Sequence, residues 1–139
     1  MYLIAFPLLI IPFALYNMIA FLLSLEFSTR LFDVPLLSGR SMPVSTGDML
    51  ILLGVLLLYL EILKATRLSS KAITDHVLSM VLFLAMTIEY ISVQRAATST
   101  FLILVALSFV DVIGGFTITI RTAQRDISLE SAERAAAGS

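Results

Sequence analysis

Four long apolar runs, Met1 to Leu25, Met49 to Thr66, Ala72 to Val93 and Phe101 to Ile120, take up most of the chain, with short charged or turn-rich segments between them. A helix needs roughly 20 apolar residues to cross a hydrocarbon layer about 30 Å thick, and each run reaches that length alone or with its flanks. The pattern predicts an all-α, polytopic integral membrane protein with four transmembrane helices in an antiparallel bundle. The expected helices cover residues 1–25, 48–66, 72–93 and 99–120, with an outer loop at 26–47. Residues 1–120 then form the membrane domain and 121–139 a cytoplasmic C-terminal tail, an Ala-rich helical extension.

Composition excludes the soluble alternative. With 59% hydrophobic and 14% charged residues, a soluble fold of 139 residues would leave more apolar surface than it could bury. A net charge of −1 without a clustered basic face argues against nucleic acid as a partner. The absence of cysteine removes disulfides, thiolate metal sites and thiol nucleophiles.

The first run differs from a secretory signal, which has a basic start, about 7–15 apolar residues and a small-residue cleavage site. Here no Lys or Arg precedes the run, which contains Pro7 and Pro12 and continues uncharged to Leu25. It is expected to be a retained membrane helix. Either the two prolines bend its first half, or the residues before Pro7 form an unwound lead-in.

Four crossings put both termini on one side. Lys64, Arg67, Lys71, Arg121, Arg125 and Arg134 fall on that side, and Arg30, Arg40 and Arg95 on the other. Six against three predicts cytoplasmic termini by the positive-inside rule and a multi-pass protein of a bacterial cytoplasmic (inner) membrane. Ser45 and Asp48 have capping-box spacing before the second helix. Ser69 and Ser70 could cap the third helix, and Thr98 and Ser99 the fourth. The short later loops predict that helices two, three and four are antiparallel neighbours. The first loop, with Phe27, Leu31, Phe32 and Leu37 among Arg30, Asp33 and Arg40, is either a segment lying in the interface or an ordinary capped connection.

Ionisable groups inside the runs are the candidate functional residues. Asp111 lies near the middle of the fourth helix, about 15 Å from either end, too deep for its short side chain to reach water. A central Asp costs roughly 2.5–3.5 kcal/mol on insertion scales, so it must face protein or an aqueous cavity. Ser108, Asp111, Gly115, Thr119 and Thr122 share one face. Asp75, Ser79, Leu82, Met86, Glu89 and Val93 share another on the third helix. Glu89 is expected as an interfacial carboxylate paired with Arg95, and Glu61 as an intrahelical partner of Lys64 three residues on. His76, the single histidine, is placed to meet Glu61; with no second histidine or cysteine, neither a metal nor a cofactor is expected. On the first helix Phe13, Asn17, Ala20 and Ser24 form the expected packing face, and depth makes Asn17 a partner for Asp111. Asp111, Glu61, His76, Glu89, Asn17 and Ser108 thus form a candidate polar seam or proton site.

Length and helix count resemble those of the small multidrug-resistance transporters, whose working carboxylate is a Glu in the first helix. No acidic residue precedes Glu26, so the resemblance implies no site here. The chain contains no G-x-S-x-G, H-E-x-x-H, P-loop or EF-hand pattern, and Gly114-Gly115 reads as a kink or close-contact point. No enzyme is expected. The leading expectation is a non-catalytic accessory, assembly or stabilising subunit, with membrane lipids and other membrane subunits or further copies of the chain as partners. The alternative is a small oligomeric proton-coupled transporter using Asp111, and a lipid- or quinone-modifying enzyme ranks last.

Overall fold

The computed structural model describes residues 6–67 and 72–138. Its helices are α1 (Ile10–Asn17, continued by a π-helical turn, Met18–Leu22), α2 (Thr46–Ala65), α3 (Ala72–Ser92) and α4 (Ser99–Ala137). β1 (Arg30–Pro35) and β2 (Ser41–Ser45) form a two-stranded sheet. Among the described residues three helices are long and apolar enough to cross a membrane, Thr46–Ala65, Ile73–Ser92 and Ser99–Ala137, with mean hydropathies of 2.0, 1.3 and 2.3 in their most apolar windows. They mark a membrane-associated protein.

α4 packs against both α2 and α3. Alongside α2 the pairings advance in the same direction: Gly47 near Thr100, Gly54 against Leu104 and Leu107, and the Thr119 hydroxyl donating to the Ala65 carbonyl at 3.2 Å. These two helices are therefore parallel. α3 runs antiparallel to α4, with ring centroids 6.2 Å apart for Tyr90 and Phe101, 5.8 Å for Phe83 and Phe109, and 4.7 Å for His76 and Phe116. Of the expected antiparallel sequence neighbours, α3 and α4 pack together, whereas among the described residues α2 and α3 touch little, and the three helices form a row centred on α4. Gly54 makes that row possible: a Cβ there would lie 2.9 Å from Leu107 Cδ1 and 3.2 Å from Leu104 Cδ2.

The first apolar run folds less regularly than expected. α1 starts at Ile10, which puts Pro12 in the first turn, where a backbone N–H has no intrahelical acceptor to lose. Pro12 therefore opens the helix rather than bending it, and Pro7 to Leu9 lead in to it. The π-helical turn ends at Leu23 and Ser24, the latter at φ +51°, the left-handed geometry that stops a helix. Of the expected packing face Ala20 is buried, Phe13 and Asn17 are half-buried and Ser24 is exposed; Pro12 and Tyr16 are buried beside them, so the face is centred on Tyr16. The segment nevertheless runs the height of α2. Phe6 meets the lower end through its carbonyl on Lys64, and the Phe27 carbonyl accepts from Gly47 N at 2.9 Å at the upper end.

Residues 26–47 contain a hairpin, which the sequence reading did not include. β1 pairs antiparallel with β2, with a bulge between Arg30 and Phe32, and Gly39 at φ +84° provides the turn. With two strands both are edges, which is why Pro35 and Pro43 are tolerated. Ser45 and Asp48 form the expected capping box, and the Thr98 hydroxyl accepts from Phe101 N at the start of α4. Caps at Ser69 and Ser70 lie outside the described residues. Gly114 and Gly115 do not interrupt α4, which continues to Ala137 over 39 residues, about 58 Å. Its last part extends beyond the level of Ala65 as an exposed helix.

Gly54→Ile should separate α2 from α4 and lower stability in mild detergent by about 1–3 kcal/mol, read by SDS titration followed with circular dichroism. Gly54→Ala should lose less, since Leu107 Cδ1 is the yielding end of a side chain.

Candidate functional site

The ammonium of Lys64 has three N–H donors and finds acceptors on three segments. It donates to the Phe6 carbonyl at 2.7 Å, to Glu61 Oε1 at 3.0 Å and to Asp75 Oδ1 at 3.4 Å. The lead-in to α1, the end of α2 and the start of α3 therefore meet on one cation. Glu61 Oε1 also accepts the backbone N–H of Leu8, a donor left free just ahead of α1. A carboxylate at that position also faces the positive end of the α1 dipole. The side chains of Glu61 and Asp75 are 2% and 9% exposed, and Lys64 is the cation paired with both.

The expected Glu61–Lys64 pair is present, whereas His76 does not bond to Glu61. Its Nε2 lies 2.7 Å from Thr119 Oγ1, whose hydrogen goes to the Ala65 carbonyl. The network therefore assigns the imidazole proton to Nε2, which donates to Thr119. The ring lies over Gly115, where a Cβ would come within 3.1 Å of Cε1 and 3.3 Å of Nδ1. The glycine is a close-contact point, as expected, and the ring it admits ties α3 to α4 and, through Thr119, to α2.

Asp111 faces inward and is 4% exposed, level with Ser79 of α3, whose hydroxyl faces its carboxyl. Ser108, one turn away, is 1% exposed. Among the described residues Ser108 Oγ and Asp111 Oδ2 are the buried side-chain atoms without a protein hydrogen-bond partner. They end a polar cluster that rises from Lys64, Glu61, Asp75, His76 and Thr119.

Two expected pairs are replaced. Asn17 Nδ2 donates to Glu89 Oε2 at 3.3 Å and to the Phe13 carbonyl at 3.1 Å, so its carboxylate partner is Glu89 and not Asp111. Arg95 sits in a short 3-10 turn, Gln94–Ala96, and its Nη1 donates to the Ala20 carbonyl at 2.9 Å instead of pairing with Glu89. The candidate residues thus separate into a lower group, Asp111, Ser108, Glu61 and His76, and an upper pair, Asn17 and Glu89. Sequence reasoning left Asp75, Ser79 and Thr119 out of the site although all three lay on the stripes it identified. The expected seam also omits Tyr16, a polar position of the first run, whose hydroxyl is 2.7 Å from Thr98 Oγ1 and donates to the Arg95 carbonyl at 3.2 Å. Among the described residues no group of three His, Cys, Asp or Glu side chains is arranged to hold a metal ion. Comparison of the chain with family models, curated proteins and solved structures finds no match.

Lys64→Met should leave Glu61 and Asp75 as uncompensated buried acids and cost about 3–5 kcal/mol in the same unfolding assay. Glu61→Gln retains an acceptor for Leu8 N–H and should lose less; equal losses would contradict the assigned geometry.

Proposed function

We propose that this chain is a small non-catalytic integral membrane protein of the cytoplasmic (inner) membrane of a bacterium. It would cross the bilayer four times with both termini in the cytoplasm and serve as an accessory, assembly or stabilising subunit of a larger membrane complex. The reading of the Phe6 to Phe27 segment as a crossing rests on its two anchors. Lys64 and Gly47 are about 26 Å apart along α2 at 1.5 Å per residue, close to the hydrocarbon thickness. The six-to-three basic bias supports the orientation.

The observation that carries the subunit reading is how the interior is filled. Glu61, Asp75 and His76 are engaged in links between helices, and above Ser108 the core is filled by Met86, Leu104, Phe101 and Leu50. Among the described residues these apolar side chains stand between the lower cluster and the Asn17–Glu89 pair. Only 33%, 28% and 33% of the apolar windows of α2, α3 and α4 are buried within the protein, which leaves broad apolar faces for lipid or other subunits. The second reading, an oligomeric proton-coupled transporter, is favoured by one observation, the unpartnered Asp111 Oδ2 and Ser108 Oγ.

Gentle detergent extraction from native membranes should recover the chain with a stoichiometric protein partner; recovery as a monomer or homodimer alone overturns the proposal. Proteoliposomes of the purified chain should show no proton flux above empty vesicles, and a flux abolished by Asp111→Asn would replace the subunit reading with transport. Because the chain lacks cysteine, Ser38→Cys and Ser131→Cys report topology directly. An impermeant maleimide applied from outside should label the first and spare the second.

A further inference from the structure

At the upper end, a cleft of about 650 Å³ opens between the N-termini of α2 and α4, the end of the π-helical turn and the segment leading to the hairpin. Its walls carry both signs of charge, Arg95 on one side and Glu26 and Asp48 on the other, with Ile51 and Ile103 on its apolar side. Among the described residues Arg95 forms an ion pair with neither carboxylate. Opposite charges therefore line one cavity without neutralising each other.

The walls are fixed before anything binds. Phe27 stacks on Tyr16 with centroids 4.3 Å apart and planes at 4°, and its carbonyl is bonded to Gly47. Arg95 is held by the Ala20 carbonyl through Nη1, which uses part of a five-donor guanidinium. Asp48 is held by Ser45 in the capping box. Glu26 is exposed and accepts from Ser28 Oγ at 3.4 Å. Ile103 is 40% exposed, and Leu52, Val55 and Leu102 nearby in sequence are exposed as well, so the apolar side of the cleft continues onto the outer surface of α2 and α4.

We propose that this cleft binds one phospholipid bearing a primary ammonium in its headgroup. The Arg95 fork takes the phosphate, Glu26 with Asp48 takes the ammonium, and an acyl chain descends past Ile51 and Ile103. A cation, an anion acceptor and an apolar exit in one cavity match the zwitterion and its tail together. An anionic lipid would face the two carboxylates unpaired. A trimethylated headgroup has the same charges but no N–H to donate. The inference rests on the membrane-spanning reading and is independent of the subunit role.

The test is native mass spectrometry of the full chain released from nanodiscs of equal parts phosphatidylethanolamine, phosphatidylcholine and phosphatidylglycerol. Preference for the ethanolamine lipid by about tenfold is expected for charge-assisted hydrogen bonds in a partly buried site. Glu26→Gln, a change at an exposed position, should reduce that preference toward parity while lipid remains bound. Arg95→Gln should lose retained lipid, and Arg95→Lys, which keeps the charge, should restore part of it. Equal retention of the three lipids by the wild type, or an undiminished preference in Glu26→Gln, overturns the site. Alkaline carbonate extraction separates the two failures: a chain that stays in the membrane without headgroup preference refutes the cleft alone, and a chain released by carbonate refutes the spanning reading with it.

Discussion

One ammonium group in an apolar surrounding closes the lower end of this fold. Lys64 is in the last turn of α2, and its three N–H groups reach a carbonyl before α1, a carboxylate on its own helix and a carboxylate on α3. In a medium of low dielectric such bonds are strengthened, and an unpartnered member is correspondingly expensive. The geometry therefore has one good arrangement. Phe6 and Leu8 must come to Glu61 and Lys64, which sets where α1 starts, and Asp75 must face α2, which sets the rotation of α3. With Asp75 inward, His76 and Ser79 fall on the face toward α4, where Gly115 and Asp111 receive them.

The upper end is closed by different chemistry. The Thr98 hydroxyl donates to Tyr16, which donates to the Arg95 carbonyl, while Thr98 also accepts from Phe101 N. Around this chain of bonds the rings of Tyr16, Phe27, Phe13 and Tyr90 gather on one another and on Phe101, which is 0% exposed. These neutral bonds and stacked rings hold the end of α1 against the start of α4. A segment with only 8 residues of α-helix and 5 of π-helix is thus secured at both ends by contacts to other elements rather than by its own helical length.

What the sequence made legible follows from periodicity. The stripes through Asp75, Ser79, Leu82 and Met86 and through Ser108, Asp111 and Gly115 are the buried faces of α3 and α4, because polar and small residues at three-and-four spacing stand out against an apolar background. Capping residues were equally readable. Rotation of the first helix was not: depth placed Asn17 level with a carboxylate but could not say which, and the buried polar residue there is Tyr16, whose long ring carries its hydroxyl to the Arg95 carbonyl. Arg95 itself is six residues from Glu89, but the 3-10 turn directs its side chain to Ala20. The hairpin was obscured because Phe32, Met42 and Leu37 are exposed, so its strands have no apolar face to sort. Ser38-Gly39 between two short β-prone stretches was the available signal.

The lower polar cluster and the upper polar groups are separated by a layer of apolar side chains. From Ser108 to Thr98 α4 rises about 15 Å, and the lower part of that interval is Leu104 and Phe101 against Met86 and Leu50, below Thr100 and the Asn17–Glu89 pair. A proton or ion leaving Asp111 upward would meet Leu104, Met86 and Phe101 before it reached the Asn17–Glu89 pair and Thr100, and would lose hydration over that layer. Downward, the cluster ends on Lys64, whose positive charge opposes entry of another cation and whose donors already hold Glu61 and Asp75. Asp111 therefore lies at the upper end of the lower polar cluster. A carboxyl so placed orients α4 toward Ser79 and penalises every rotation that would turn it to lipid.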